Sequence, residues 1–500
     1  MSLTVIRNGT IIDPANRPAR FTGDLWVEGE RIVAEPGRRA DRELDASGLL
    51  VMAGGVDIHS HFLGPKVNAA RQMLARTTLA TREGVETASE APLVPDIVAT
   101  GLRYAGLGYT TAIDAAIPAW SIAQAESGLA SLPVVDGGYL VLAGGSSHLL
   151  EAIASGDQAS VVGHLEQLTA APHARGIKLV SPGAVHDWKS GFRDPINRID
   201  QPLHSVHTTP RAVVQALARA ADTLEMPHPL HIHCNNLGMP GNWQTTLATL
   251  QALEGCRGHL AHIQFHSYRG ADNEADFGSA VQPLVDWLNR HPEVSVDAGQ
   301  VMFGRTMGMT ADSPLGYYLQ QVTGSPWISH DVADQGGCGI TPLRYRRRDR
   351  INALQWAIGL EWMLRIDNPW QIALSTDHPN GASFLAYPQI IALLMDADLR
   401  RHELQRLHPD VLEHSELHEM DRQYSLEEVA IVTRAAPARL LGLTDRGHLG
   451  AGAVADIVMY HPGDDIRRLF EFPRMVIKSG RPVIDEGQLR EPFPAPTGSE

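Results

Sequence analysis

Six side chains in this sequence have the types and the spacing needed to hold two divalent metal ions and hydrolyse an amide. Each lies in or directly after a short apolar run, as in GGVDIHSH, GIKLV, PLHIHCNN, GHLAHIQ and IALSTD. The six are His59, His61, Lys178, His233, His262 and Asp377. Alternate residues of a strand share one face, so His59 and His61 can bind the same ion. Imidazole and carboxylate groups are ligands of zinc-type cations, so the pattern predicts a metal-dependent hydrolase.

Lysine is rare in this chain, which makes the lysine of GIKLV informative. The four lysines are Lys66, Lys178, Lys189 and Lys478. Burial among apolar neighbours disfavours an ammonium ion, lowers its pKa and leaves a neutral amine. A neutral amine can add CO2, and the resulting carbamate can bridge two cations as a carboxylate does. We therefore predict a carbamate on Lys178; the alternative is a lysine at a strand end whose ammonium reaches solvent.

Two of the apolar runs offer more than one histidine as a metal ligand. The run PLHIH contains His231 and His233, and GHLAHIQFH contains His259, His262 and His266. We favour His233 and His262 because each closes an apolar run and enters a polar loop, where the ligands of a barrel enzyme cluster. The spacing alone leaves the other histidines open as ligands.

The chemistry predicted for this site is hydrolysis by metal-activated water. Two divalent ions polarise an amide carbonyl and lower the pKa of bound water toward about 7. Asp377 is assigned as ligand and proton shuttle, because no other acidic residue is recognised at a comparable strand end. Cys234 is an alternative nucleophile, but activated water already fills that role.

Short β runs such as TTAID and VSVDAG alternate with helical stretches such as TPRAVVQALARAADTLE, which is typical of an α/β barrel. We predict a (β/α)8 TIM-like barrel over residues 51–439. Residues 1–50 and 440–490 read as short strands and turns, and we expect them to pair into one small β-sandwich. The Pro- and Gly-rich segment 491–500 is predicted to be a mobile tail.

Composition excludes several classes of protein. A formal net charge of −15 over 500 residues argues against nucleic acid as a partner. The basic run RYRRRDR at 344–350 is interpreted as a solvated helix start or partner contact, with a polyanionic substrate tail as the alternative. No run of 18 apolar residues and no signal peptide is found, so we expect a cytoplasmic protein without a membrane segment. The cysteines Cys234, Cys256 and Cys338 lack the spacing of an iron–sulfur site, so any redox chemistry must reside on other subunits.

The order H-x-H, Lys, His, His, Asp resembles the binuclear amidohydrolase superfamily, which includes dihydroorotases and hydantoinases. A narrower resemblance, to the A subunits of formylmethanofuran dehydrogenases and bacterial formyltransferase/hydrolase complexes, is carried by GGVDIHSHFLGPKVNAAR, HIHCNNLGMPGNW, HLAHIQFHSY, GQVMFGRTMGMTADSP and STDHPNGASFLAYP. This resemblance implies two divalent metals, zinc by expectation, and a furan-type one-carbon carrier, methanofuran or methylofuran, with partner subunits. The implied reaction is hydrolysis of the carrier's N-formyl amide to formate and free amine. The arginine-rich, alanine-rich composition favours the bacterial form.

Substrate contacts are predicted on the loop after the first strand and near the two later histidine runs. The candidates after the first strand are Lys66, Asn68 and Arg71, and the other candidates are His231, Asn235, Asn236 and His266. Ordinary helix capping and solvent-facing charge are the alternative for the first three. Three alternatives to the function stay open: an archaeal-type subunit that condenses formate with the carrier, a stand-alone cyclic amidohydrolase, and a non-catalytic scaffold.

Overall fold

A computed structural model describes most of the chain. The described residues are 2–73, 93–192, 196–270, 274–310, 312, 315, 319–321, 324, 328–329 and 339–490. Cys338 and the predicted tail at 491–500 lie outside the described residues.

The centre of the molecule is a sheet of eight parallel strands that follow one another around a barrel in chain order. These strands are β6 (Gly55–Ser60), β7 (Tyr109–Ile117), β8 (Asp136–Ala143), β9 (Ala174–Val180), β10 (Leu230–His233), β11 (Gly258–Leu260), β14 (Val294–Asp297) and β18 (Ile372–Ala373). A bridge between Ser60 and His378 joins the first strand to the segment that follows the last one, and the His61 backbone N–H donates to the His378 carbonyl at 2.7 Å. The predicted barrel is therefore confirmed.

Helices surround the barrel strands, and most of them contribute apolar side chains to a core shared with the strands. The helices are α1 (Gly64–Met73), α2 (Ile97–Gly106), α3 (Ile122–Leu129), α4 (Ser147–Ser155), α5 (Gln158–Leu168), α6 (Ala184–Lys189), α7 (Pro210–Thr223), α8 (Trp243–Ala252), α9 (Val281–Leu288), α10 (Arg350–Arg365), α11 (Tyr387–Met395), α12 (Ala397–Leu404), α13 (Val411–His414), α14 (Leu426–Ala430), α15 (Ala436–Leu440) and α16 (Ile466–Glu471). Helix α7 begins as its sequence predicts, because Pro210 occupies the first turn and the Thr209 hydroxyl accepts from the Ala212 N–H at 3.2 Å.

The two ends of the chain pair with each other, as predicted for the small β-sandwich, and they form one nine-stranded sheet. Its strands are β1 (Leu3–Ile12), β2 (Arg20–Glu28), β3 (Arg31–Val33), β4 (Arg42–Asp45), β5 (Leu50–Ala53), β19 (Ile457–Tyr460), β20 (Met475–Lys478), β21 (Arg481–Asp485) and β22 (Gln488–Leu489). Antiparallel pairing of β5 with β19 joins the N-terminal strands to the C-terminal ones. Strand β5 extends three residues past position 50, and the predicted domain boundaries stay a prediction.

A buried ionic cluster connects this terminal sheet to the barrel. The Lys478 ammonium, at the end of β20, donates to Asp456 at 2.8 Å and to Asp136 at 2.7 Å. Asp136 is the first residue of barrel strand β8, and Arg446 also donates to it. Removing one member would leave its partners charged and buried, so the cluster holds the two parts in one arrangement.

Smaller sheets lie at the ends of the barrel strands. Strands β15 (Gly304–Thr310), β16 (Ile328–Ser329) and β17 (Gly339–Tyr345) form one antiparallel sheet, and β12 (Tyr268–Arg269) pairs with β13 (Gly278–Ser279). Residues of β15 and β17 form part of the wall of the cavity into which the barrel strands point.

Candidate active site

All six side chains singled out from the sequence line one cavity of about 1000 Å³ at the carboxyl ends of the barrel strands. None of the six has more than 5% of its surface exposed. In a parallel barrel, the inward side chains at these strand ends converge. Residues as far apart in sequence as His59 and Asp377 are therefore neighbours.

The first cluster of ligand atoms is formed by β6 and the segment after β18. The Asp377 Oδ1 atom lies 3.1 Å from His59 Nε2 and 3.0 Å from His61 Nε2. Ligands of one tetrahedral zinc ion lie about 3.3 Å apart, given zinc–nitrogen distances of about 2.0 to 2.1 Å. Each histidine nitrogen therefore lies at a ligand-pair distance from Asp377, and ligand atoms of His59, His262 and Asp377 all lie within 4.8 Å of one another.

A second cluster lies on the neighbouring strands. His233 Nδ1 and His262 Nε2 are 3.1 Å apart, and ligand atoms of His233, His262 and His266 all lie within 4.8 Å of one another. His266 thus stands beside the two favoured histidines, and its two ring nitrogens have no hydrogen-bond partner among the described residues. The geometry leaves His266 open as a ligand.

Unsatisfied polar atoms test whether this donor set fits metal ions. Several buried atoms of the site have no hydrogen-bond partner among the described residues, although the atoms lie close together. They are His59 Nε2, Lys178 Nζ, His233 Nε2, His262 Nδ1 and Asp377 Oδ1. Buried polar atoms are normally paired, and one unpaired atom costs roughly 1–3 kcal/mol. Bound cations would satisfy such a set of lone pairs, so the residues fit a metal centre.

The charges of two site residues suit this role. Burial lowers the pKa of Lys178 to about 7, which makes the neutral amine accessible near neutral pH. Burial acts to raise the pKa of Asp377, but the adjacent His59 and His61 hold that pKa well below its usual value. Asp377 is therefore an anion in the site.

Unusual backbone conformations orient two of the ligand candidates. His262 (φ 32°) and Asp377 (φ 48°) adopt left-handed conformations that non-glycine residues rarely occupy. Gly299 lies against His262, and a Cβ at this glycine would overlap the Cβ and Cα of the histidine. The turn after β14 therefore requires a residue without a side chain.

Asp297, at the end of β14, is a functional residue that the sequence pattern alone did not single out. Its carboxylate accepts from His59 Nδ1 at 2.8 Å, His259 Nε2 at 3.2 Å and the His262 backbone N–H at 3.0 Å. A hydrogen bond at Nδ1 orients an imidazole and leaves Nε2 free for a metal. The expectation that Asp377 is alone among acids at strand ends is wrong. The signal was present in VSVDAG, where an aspartate closes an apolar run.

Two further aspartates support the site. Asp114, on β7, accepts from the backbone N–H groups of Phe62 and Leu63 at 2.8 and 2.7 Å and so fixes the loop after His61. Asp312 accepts from Ser181 Oγ at 3.0 Å and lies 3.6 Å from His233 Nε2.

The predicted substrate contacts on α1 lie in different places. Lys66 is buried in the cavity wall, where its ammonium contacts His61 Nδ1 at 2.8 Å and donates to the Ala116 carbonyl at 2.9 Å. Asn68 and Arg71 are not among the residues that line the cavity. They contact each other at 2.9 Å, and Arg71 also donates to the Pro95 carbonyl.

The remaining predicted contacts lie on β10 or in the segments that follow β10 and β11. Asn235 is buried and donates to the Pro182 carbonyl at 3.2 Å, while Asn236 donates to the Ile196 carbonyl at 2.7 Å. Neither asparagine lines the cavity, nor does His231. Cys234 is buried, and its thiol pKa is raised to about 12 by that burial, which disfavours a nucleophilic role.

The basic run is divided between two surroundings. Arg344, Arg346 and Arg350 line the cavity. Arg347 points toward Glu403 and Arg348 donates to the Leu407 carbonyl. Part of this run therefore faces the cavity from β17 and the start of α10.

In the described part of the chain, no helix is long and apolar enough to span a bilayer.

The barrel, its buried histidines and its aspartate define a class of protein. Residues 138–484 match the model of the amidohydrolase family, and the chain belongs to that family.

Relatives of this chain agree closely over nearly its whole length. It is 38% identical over 97% of its residues to the A chain of the formyltransferase/hydrolase complex Fhc of Methylorubrum extorquens, of which 89% is covered. It is 35% identical over 97% of its residues to Protein FwdA of Methanocaldococcus jannaschii, of which 88% is covered. The crystal structure of the formyltransferase/hydrolase complex FhcABCD from M. extorquens with methylofuran contains a similar chain. That chain matches with a TM-score of 0.91 and 37% identity, covering 98% of this chain and 90% of the other.

Proposed function

We propose that this protein is the catalytic subunit that hydrolyses the N-formyl amide of a furan-type carrier, formylmethanofuran or formylmethylofuran, to formate and the free amine. The observation that carries this proposal is the convergence of six buried metal-ligand candidates in one cavity. Full-length similarity to the Fhc protein of M. extorquens and to a chain of the methylofuran-bound complex supports the carrier.

Two divalent ions, zinc in our proposal, are held by these side chains. His59, His61 and Asp377 would hold one ion, and His233 and His262 would hold the other, with the Lys178 carbamate as a further anionic ligand. When bound, the ions would polarise the amide carbonyl and lower the pKa of water toward about 7.

Asp377 moves the proton that the reaction requires. Its carboxylate accepts a proton from the attacking water and delivers it to the amide nitrogen as the C–N bond breaks. An amine is a poor leaving group unless protonated, so this transfer is needed.

The carrier's formyl end enters the cavity beside Lys66, the candidate contact that lies in its wall. His266 and His231 lie near the ligands, and Asn235 and Asn236 form the loop after β10. Asn68 and Arg71 lie on α1 outside the lining, so any role they have in binding is at the cavity's edge.

The protein works with other subunits. The similar chains of Fhc and FhcABCD are both named as parts of a complex. We assign the hydrolytic step to this protein, since its three cysteines lack the spacing of an iron–sulfur site.

A second candidate is the opposite reaction, condensation of formate with the carrier's amine. Similarity to Protein FwdA favours it, since the sequence motifs also resemble dehydrogenase-type A subunits. Direction distinguishes the two, because amide hydrolysis is favoured in water and condensation requires formate supplied by a partner.

The test is formate release by the purified native complex from the N-formylated carrier, with dihydroorotate and hydantoin as ring-amide controls. We expect formate from the carrier and no ring opening. Ring opening without formate release would overturn the proposal in favour of a cyclic amidohydrolase. Metal analysis of the same sample tests the proposed ions, and equal rates with free N-formylfurfurylamine would contradict a need for the whole carrier.

A further inference from the structure

Two buried histidines, His228 and His231, contact each other and leave one ring nitrogen without a partner among the described residues. His228 and His231 have no exposed surface, and His228 Nε2 lies 2.9 Å from His231 Nδ1. The other nitrogen of His228, Nδ1, lies 2.8 Å from the Leu440 carbonyl oxygen. Nothing in the metal chemistry described above uses this pair.

The tautomers of both rings follow from these contacts. A carbonyl oxygen only accepts, so His228 Nδ1 carries a proton. Burial lowers the pKa of His228 to about 3, so the ring is neutral and its Nε2 accepts. His231 Nδ1 must then be the donor to it. The Nε2 atom of His231 is left as an acceptor in the barrel interior, and it has no hydrogen-bond partner among the described residues.

Asp297 does not satisfy this lone pair. Its Oδ2 atom lies 3.7 Å from His231 Nε2 and is itself an acceptor. That oxygen already receives protons from His59 and His259. The same contacts disfavour a third metal ion held by His59, His231 and Asp297. Two of these residues, His59 and Asp297, already share a proton in a hydrogen bond.

Lys178 is the neighbour that can supply a donor. Strands β9 and β10 pair in register so that Lys178 lies directly opposite His231. Both side chains are buried. The Nζ atom of Lys178 is also unpartnered among the described residues.

We propose that His231 is a positioning residue that accepts a hydrogen bond from the carbamate N–H of Lys178. When the amine attacks CO2, its lone pair forms the N–C bond and one proton leaves to solvent, so one N–H remains. A carbamate is planar, so fixing this N–H toward His231 also fixes the direction of both carbamate oxygens. The His228 contact keeps His231 in the accepting tautomer. This inference rests on the carbamate in the proposed function and names what orients it.

The test compares His231→Gln, which keeps an acceptor oxygen, with His231→Leu, which has none. Carbamate occupancy is followed by 13C NMR of the metal-free and the metal-loaded protein during titration with 13C-bicarbonate, and folding is checked by circular dichroism. We expect His231→Leu to need about tenfold more bicarbonate for half occupancy, the scale of one buried hydrogen bond. We expect His231→Gln to stay within about threefold of the wild type. An unchanged midpoint in a folded His231→Leu protein would overturn the proposal.

A second measurement needs no substitution. Long-range 1H–15N NMR of the wild-type protein reports the tautomer of His231, and a proton on its Nε2 atom would overturn the proposal even if the leucine variant does not fold. Absence of any carbamate signal from the wild type would remove the premise. The two proposals can fail separately. If the carbamate signal is lost in His231→Leu while the wild type releases no formate from the carrier, the positioning role of His231 is supported and the proposed function is refuted.

Discussion

Burial alone does not decide the state of a lysine in this protein; its neighbours do. Lys178 and Lys478 are both almost fully buried. Burial lowers the pKa of Lys178 to about 7, because its amine has no hydrogen-bonded carboxylate among the described residues. Burial also acts to lower the pKa of Lys478, but Asp456 and Asp136 outweigh it and raise that pKa. Lys478 therefore remains a structural cation, while Lys178 is available as a neutral amine for CO2.

Replacing Lys178 by Ala should remove the carbamate and empty at least one metal position, because the other candidates cannot replace an anionic ligand to both ions. Metal analysis after dialysis is the measurement, with Lys189→Ala, outside the barrel, as control. Full metal content in Lys178→Ala would contradict the assignment, as would a plain ammonium at Lys178 in a crystal structure of the metal-loaded protein.

Replacing Asp377 by Asn should keep much of the metal but lower turnover by roughly 100-fold or more, the scale of lost acid–base catalysis. An amide oxygen can still contact a cation, but it cannot carry the proton to the leaving nitrogen. Formate release and metal content are measured together, and Asp200→Asn, in an exposed ion pair with Arg211, serves as control. If turnover is unchanged, the proton shuttle lies elsewhere, and His378 is the next candidate.

At the scale of elements, the turn after β14 shows how strand ends are adapted to the site. Asp297 closes the strand and orients His59, and Gly299, two residues later, leaves the space that His262 occupies. The positive φ of Gly299 and the left-handed conformation of His262 place two unusual backbone segments in contact. The turn after β14 is thus adapted to the ligand candidates His59 and His262, which contact it.

Gly299→Ala should therefore destabilise the protein and weaken metal binding, because the new methyl group displaces His262. Gly156→Ala is a matched control: Gly156 also has a positive φ, but a Cβ there meets nothing within 4 Å. We expect a loss of about 1 kcal/mol or slightly more in the control, from backbone conformation alone, and a larger loss with reduced metal content in Gly299→Ala. Equal effects of the two substitutions on unfolding and on metal content would refute the steric argument.

At the scale of the whole molecule, the barrel interior concentrates neutral histidines. Burial lowers the pKa values of His228, His231, His259, His262 and His266. The unfolded chain binds protons on these residues below about pH 6.5, while the folded chain does not. These groups therefore leave the free energy of unfolding unchanged above about pH 6.5. They lower it as the pH falls from about 6.5 toward about 3.

The metal-free protein should accordingly unfold more easily as the pH falls from about 6.5 to 4.5, by about 2 kcal/mol for His228 alone. Denaturant unfolding at several pH values measures this, and His228→Asn should show a shallower decline. The exposed His402→Asn control should follow the wild type. A flat profile between these pH values in the wild type would contradict the neutral state of the buried rings.

The residue types and their order along the chain were sufficient to predict the barrel, the pairing of the two ends and the residues that meet in the cavity. This was possible because each candidate follows an apolar strand, and parallel strands bring their carboxyl ends to one edge. Lys178 could be selected because a lysine inside an apolar run is expected to be buried. Local sequence determines such features directly.

Only the tertiary structure decided which neighbours each side chain meets. The role of Asp297 depends on contacts with residues 238 and 38 positions away, and the direction of Lys66 toward His61 depends on how α1 packs. The same sequence segment placed Lys66 in the cavity wall and Asn68 outside it, because helical residues two apart point to different faces. Hydrogen bonds and pKa values arise from distances across the barrel, which spacing along the chain does not contain.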